Sequence, residues 1–169
     1  MKKLTLLRHA KSGWDDPVER DFDRPLNKKG KRAAAVMGSF IKRNRLTFDQ
    51  ILASPAVRVI ETLENVEDAS NLAMEPTWDR KIYLASSATL LDVLRGARPD
   101  AEHVLMVGHN PGIGDFAERL VEKAPGHPRF EDYPTGATVV VRFGVEGWSE
   151  VKEGTGEAVD FVVPRELVP

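Results

Sequence analysis

The chain has 169 residues, 24 Lys plus Arg against 26 Asp plus Glu, a formal net charge of −2, 41% hydrophobic and 30% charged residues, and no cysteine. Its length fits one domain, 1–169, that buries roughly 70% of its unfolded surface. The balanced charge gives no support to nucleic-acid or membrane-surface binding, and the missing cysteine excludes disulfides, thiolate catalysis and Cys-ligated metals.

Met1-Lys2-Lys3 is followed by too few apolar residues for a signal peptide, and no window approaches the about 18 apolar residues of a spanning helix, so the chain reads as cytoplasmic. Leu4–Leu7 then reads as a buried strand, and the polar stretch 12–27, with Gly13, Pro17 and Pro25, as a loop. A helix is expected from Lys28 to about Asn44, with Ala33, Ala34, Met37, Phe40 and Ile41 on one face. Gln50–Ala53 is a second short strand. Ser54 suits an N-cap and Pro55 the first position of a helix whose apolar stripe runs through Val57, Ile60 and Leu63.

Lys81–Leu84 reads as a third strand, and Ser87 as the cap of a helix with Leu90, Leu91 and Leu94 inward. His103–Val107 is the clearest strand. Asn110-Pro111 repeats the cap-plus-proline start, ahead of Ile113, Phe116, Ala117, Leu120 and Val121 at helical spacing. Pro125–Pro134 is a loop, Thr138–Phe143 a β-branched strand and Val159–Val163 an edge strand. Strands alternating with helices predict an α/β fold, a three-layer sandwich with a mostly parallel central sheet flanked by helices.

Three loops carry the chemistry. Arg8-His9, Ser54–Arg58 and His109-Asn110 each fall at or just past the carboxyl end of a predicted strand, where open α/β sheets bind ligands. The set combines two arginines, two histidines and two helix starts. Helix N-termini attract anions, and guanidinium groups grip phosphate oxygens in bidentate fashion, so the combination suits a phosphoryl group. A neutral imidazole beside fixed positive charge is a competent nucleophile toward phosphorus, and nearby guanidiniums disfavour its protonation. The arginines supply the positive charge, so no metal and no cofactor is expected. His9 and His109 lack a metal-ligand spacing, and Gly112-Ile113-Gly114-Asp115-Phe116-Ala117 matches a dinucleotide fingerprint only in letters, because His109-Asn110-Pro111 separate it from its strand.

At these residues the chain resembles the histidine phosphatase superfamily, and within it the small SixA-type phosphohistidine phosphatases. The segments that carry the likeness are Leu7-Arg8-His9-Ala10-Lys11-Ser12, the stretch Asp21–Gly30, Ser54-Pro55-Ala56-Val57-Arg58, Val107-Gly108-His109-Asn110-Pro111, Thr135-Gly136-Ala137 and Pro164-Arg165-Glu166-Leu167. The resemblance implies that His9 is the nucleophile that becomes phosphorylated and that Arg8 and Arg58 hold the phosphoryl oxygens. His109 would donate to the phosphoryl group, and Asn110 would orient its loop. Ala10 stands where many members of the superfamily have glycine. Lys11 and Ser12 either touch the phosphate or line the loop, and Arg24 and Arg32 read as surface residues. Trp14 is a rim aromatic or a packing anchor, and His103 and His127 are read as structural or solvent-facing.

Larger members of the superfamily use a carboxylic acid to protonate an alkoxide leaving group. Ile82-Tyr83-Leu84-Ala85 offers none, and Asp15, Asp16 and Asp115 read as solvated loop or helix-start residues. An imidazole leaving group needs less help than an alkoxide. The expectation is therefore a phosphohistidine phosphatase acting on a phosphorylated carrier or relay protein. The alternatives are a phosphatase of small phosphate compounds and, in another class, a non-catalytic phosphate-binding module. A mutase finds no second substrate grip in the sequence.

Overall fold

The computed structural model describes residues 1–13 and 20–167. Six strands, β1 (Lys2–Arg8), β2 (Gln50–Ala53), β3 (Thr77–Trp78), β4 (His103–Gly108), β5 (Thr138–Phe143) and β6 (Glu157–Val162), form one sheet in the order β3-β2-β4-β1-β5-β6. β1, β2, β3 and β4 run parallel; at one side β5 pairs antiparallel with β1 and β6 antiparallel with β5, so only β5 opposes the rest. The helices are α1 (Lys28–Arg43), α2 (Val57–Ser70), α3 (Ser87–Arg95), α4 (Gly112–Leu120) and the short α5 (Pro164–Leu167).

The pleat explains the three layers. Leu4 and Leu6 of β1 point to one face with Val104 and Met106 of β4, under Leu90 and Leu94 of α3 and Phe116 and Leu120 of α4. Leu7, Leu105 and Val107 point to the other, under Met37 and Ile41 of α1 and Val59 and Leu63 of α2. β1 and β4 sit mid-sheet and are apolar on both sides, as parallel strands covered by helices must be. Each such leucine contributes about 1.5–3 kcal/mol by leaving water.

Register places the site. Arg8 pairs with Gly108, and Ala53 with Val107, so β1, β2 and β4 end level with one another. The residues that follow them, His9, Ser54 and His109, emerge at one edge of the sheet.

Four local expectations need correction. Lys81–Leu84 is not a strand: Arg80–Ile82 is a 3-10 turn, and the third strand lies earlier, at Thr77–Trp78. α2 starts at Val57, and its cap position, Ala56, has no side-chain hydrogen bond. Ser54 is not its cap, because its hydroxyl is used elsewhere. The buried face of α2 carries Arg58, Val59, Thr62, Leu63 and Val66, with Val57 and Ile60 only partly covered. The cap of α3 is Ser86, whose hydroxyl accepts the Thr89 N–H at 3.2 Å, and Ser87 is the first helical residue. α4 begins at Gly112 after Pro111, while the Asn110 side chain accepts the Gly114 N–H at 3.0 Å. By contrast β2, β5 and the inward leucines of α3 lie where periodicity placed them.

Candidate active site

β1 runs out at Arg8, and the next residue, His9, is 6% exposed. Its backbone N–H donates to the Gly108 carbonyl at 3.2 Å. Its Nδ1 lies 2.7 Å from the Ala10 carbonyl, which can only accept, so Nδ1 carries the proton. Nε2 is thereby the unprotonated nitrogen, and the Arg58 Nε–H approaches it at 3.4 Å. Burial lowers the His9 pKa to about 3, outweighing the Ala10 hydrogen bond, with Arg58, Arg8 and Arg24 adding to the fall. The sequence indicated the guanidiniums as the cause; burial is the larger one.

The backbone around His9 is clamped. The Gly136 N–H donates to both the Arg8 and His9 carbonyls at 3.1 Å, and the Arg8 N–H donates to Ala137. Gly136 has φ 78°, and a Cβ there would stand 2.5 Å from Pro164 Cγ, so only glycine makes this turn without displacing α5. On the other side, the Ala10 N–H donates to the Thr62 hydroxyl at 3.0 Å, which donates to the Arg58 carbonyl at 2.6 Å. Ala10 and the first turns of α2 are thus one hydrogen-bonded unit.

Arg58 is 2% exposed on the buried face of α2. Its Nη1 donates to the Asp21 backbone carbonyl at 2.8 Å and its Nη2 to the Asp21 carboxylate at 2.9 Å. With Nε at His9, at least three of a guanidinium's five N–H donors are committed. Asp21 also accepts from the Tyr83 hydroxyl at 2.6 Å and from Arg24 Nε at 3.0 Å. Partial burial disfavours the carboxylate, but Tyr83, Arg58 and Arg24 outweigh it and hold the Asp21 pKa at about 2.

His109 follows β4. Its Nε2 is 2.8 Å from the Ser54 hydroxyl, and that hydroxyl already accepts the Ala56 N–H. The Ser54 hydroxyl can donate to His109 Nε2 while it accepts the Ala56 N–H, and in the tautomer that receives this bond the ring proton sits on Nδ1. Burial, then the neighbouring His9 and Arg58, lower the His109 pKa to about 3, so the ring is neutral near pH 7. The His9 and His109 ring centroids are 5.2 Å apart.

Two buried side-chain nitrogens lack a hydrogen-bond partner among the described residues, Arg8 Nε and His109 Nδ1. Both belong to residues lining one cleft of about 480 Å³. An unpaired buried donor costs about 1–3 kcal/mol, and such a cost is offset where a ligand supplies the acceptor. Arg8 is held by its Nη1, which donates to the Tyr133 carbonyl at 3.1 Å. The Asn110 amide donates to the same carbonyl at 3.0 Å. Tyr133 is fully buried at φ 45°, and its hydroxyl donates to the Leu6 carbonyl at 2.6 Å and accepts the Val139 N–H at 3.1 Å.

The structure therefore brings Arg8, His9, Lys11, Ser12, Arg58, His109 and Asn110 to one cleft. The surface reading of Arg24 is corrected: it lines this cleft and bonds Asp21 and Ser12. Arg32 is exposed outside it. Asp115 does not line the cleft and pairs with Arg119, while Trp14, Asp15 and Asp16 lie outside the described residues. His103 is buried near the opposite end of β4 against the Thr5 hydroxyl, and His127 pairs with Glu166. Sequence reasoning gave no role to Asp21, Tyr83, Tyr133 or Thr62, although Asp21 opens the stretch that carried part of the resemblance. Leu84, exposed at φ 49° on the cleft wall, was also passed over.

The model of the histidine phosphatase superfamily (branch 1) matches residues 4–80. An uncharacterised protein of Mycobacterium tuberculosis is 29% identical over 164 residues, spanning 94% of this chain and all of that protein. An uncharacterised protein of Picosynechococcus is 32% identical over 128 residues, 74% of this chain and 76% of its own. A 2,3-bisphosphoglycerate-dependent phosphoglycerate mutase of Bacteroides fragilis is 32% identical over 146 residues, but the chain spans only 55% of it. Among solved structures, one from Agrobacterium tumefaciens assigned as the phosphohistidine phosphatase SixA superposes with a TM-score of 0.78 at 28% identity, over 96% of this chain and 98% of that one.

Proposed function

The chain belongs to the histidine phosphatase superfamily, and from that premise we propose that it is a phosphatase that releases phosphate from phosphohistidine on a carrier or relay protein, through a phosphohistidine of its own at His9. The observation that carries the reading is the state of His9. Nδ1–H is pinned to Ala10, Nε2 faces Arg58, and Asp21, the carboxylate in the described lining of the cleft, is locked in its ionised form.

In the first step His9 Nε2 attacks phosphorus, forming a P–N bond as the P–N bond to the substrate imidazole breaks. Arg8, Arg58 and the His109 Nδ1–H face the equatorial oxygens, where charge concentrates. Nucleophile and leaving group are the same kind of nitrogen, so the transfer is nearly balanced and requires no strong acid. A water then attacks the phosphorylated His9, returning the imidazole and releasing inorganic phosphate. An alkyl phosphate would leave as a far more basic alkoxide, for which acid catalysis is worth about 10²–10⁴-fold. Asp21, held near pKa 2, is a poor source of that proton.

A second reading, turnover of small phosphate monoesters, is favoured by the likeness to a phosphoglycerate mutase. Rapid quench during turnover separates these from a non-catalytic binding module. The proposal expects an acid-labile, alkali-stable phosphoryl label on the wild-type protein and none on His9→Ala. A label retained by His9→Ala would place the nucleophile elsewhere, and no label with no turnover would leave a binding module.

A further inference from the structure

A second, larger groove of about 680 Å³ adjoins the phosphate cleft, and Lys11 and Thr135 line both. Its rim carries Lys11, Lys29, Arg32, Arg129 and Arg165, with no aspartate or glutamate lining it among the described residues. Its floor is apolar, from Ala33 and Val36 of α1 and Pro134, Val163 and Pro164 opposite. In a chain of net charge −2 this is a concentrated departure from the average surface. Arg129 is paired with Asp132, but Lys11, Lys29, Arg32 and Arg165 form no ion pair among the described residues.

A separate observation points the same way. The start of α1 carries Lys28, Lys29, Lys31 and Arg32 with no acidic residue in the first turn. The helix macrodipole is positive at that end, so acidic residues there stabilise and cations destabilise. Four cations thus crowd the positive end of α1, and two of them, Lys29 and Arg32, line the groove. That arrangement suits recognition of an anionic partner, whose approach it also accelerates.

We propose that this groove docks an acidic, amphipathic segment of the protein that carries the phosphoryl group, steering its phosphohistidine into the adjoining cleft. The proposal rests on the phosphohistidine-protein reading above. The apolar floor favours a peptide with aliphatic side chains between its carboxylates. Among the described residues no aromatic side chain lines the groove to stack a base, so the charge and the aliphatic floor favour a peptide over a single-stranded nucleic acid.

The test uses the full chain and the triple variant Lys29→Glu, Arg32→Glu, Arg165→Glu, all exposed residues outside the phosphate cleft. Two phosphohistidine peptides of equal length are compared, one flanked by Glu and Leu and one by Ser and Gly, with phosphoramidate as the small substrate. Wild type is expected to show a KM roughly tenfold lower for the acidic peptide, from a few partly screened charge pairs, and a preference that fades in high salt. The triple variant should lose the preference and keep phosphoramidate turnover. Its thermal midpoint should not fall, because the new glutamates in α1 complement the macrodipole. Equal KM values on wild type, or a preference surviving in the variant, would overturn the proposal. Fluorescence anisotropy of the labelled acidic peptide without phosphate gives a readout independent of chemistry: binding at least tenfold weaker in the variant supports docking. Equal binding to both proteins, or tighter binding of a short oligonucleotide than of the peptide, overturns it. If no substrate is turned over, the phosphatase reading fails and the anisotropy alone decides the docking.

Discussion

Replacing Asp21 by Asn tests whether that carboxylate positions Arg58 or donates a proton. The side chain receives Arg58 Nη2 at 2.9 Å, the Tyr83 hydroxyl at 2.6 Å and Arg24 Nε at 3.0 Å. An amide keeps the shape but places an NH2 against at least one of these donors and removes the counter-charge from a guanidinium that is 2% exposed. Hydrogen bonds to charged groups contribute about 1.5–3 kcal/mol each. Because the Asp21 side chain is 35% exposed, screening reduces this, and a net loss of about 1–2 kcal/mol in stability is expected. Arg58 also keeps its bond to the Asp21 backbone carbonyl, so it should be loosened without being released. A misplacement approaching 1 Å costs on the order of 10²-fold in rate, so kcat should fall between about 10- and 100-fold. KM should hold or drop, since the cleft becomes more positive. Phosphoramidate, a nitrophenyl phosphate and an alkyl phosphate should all lose activity by a similar factor. A loss confined to the alkyl phosphate, with phosphoramidate intact, would make Asp21 the general acid and refute this reasoning.

Ser54→Ala removes the hydroxyl bonded to His109 Nε2; kcat should fall about tenfold with a stability loss near 1 kcal/mol, and an unchanged kcat in steady-state assays would show that this bond does not orient His109 for the reaction. Gly30→Ala would place a Cβ 2.0 Å from the Lys11 carbonyl oxygen, forcing α1 away from the segment that follows His9; a loss of about 1–3 kcal/mol and a fall in kcat/KM are expected, and an undiminished thermal midpoint would contradict the packing. Stability should also decline as pH falls below about 6.5. The folded-state pKa values of His9 and His109 are lowered to about 3 and that of His103 to about 4, so the unfolded chain takes up protons first. Their contribution is complete above about 6.5 and is lost as pH falls toward 4, by up to about 1.4 kcal/mol per pH unit for each group. Calorimetry from pH 7 to 4.5 should show a falling midpoint, with His103→Gln reducing the slope by roughly a third; a flat profile would mean these rings are not buried neutral.

The parallel strands and the residues at their ends were legible because continuous apolar runs such as Leu4–Leu7 and His103–Val107 carry their own signal, and each ends in a distinctive polar pair. Errors gathered where a side chain serves a distant partner. Ser54 has the chemistry of an N-cap, but its hydroxyl is bonded to His109, 55 positions away, and the helix begins later. Lys81–Leu84 alternates like a strand, yet the chain turns there so that Tyr83 can reach Asp21. Arg24 looks like one charge in a polar loop; only the folded chain brings it to Asp21 and Ser12 at the cleft. The support of Arg8 and Asn110 by the Tyr133 carbonyl was invisible for the same reason, since a backbone acceptor has no signature in sequence.

The central claim is that this cleft transfers phosphoryl groups from imidazole through His9 without a strong general acid. The most direct test measures phosphate release, in the presence of chelator, from a phosphohistidine peptide and from an unactivated alkyl phosphate, with His9→Ala as control. The account predicts turnover of the phosphohistidine, a much lower kcat/KM on the alkyl phosphate, and no activity in His9→Ala. Turnover of the alkyl phosphate as fast as the phosphohistidine, or activity surviving in His9→Ala, would contradict it.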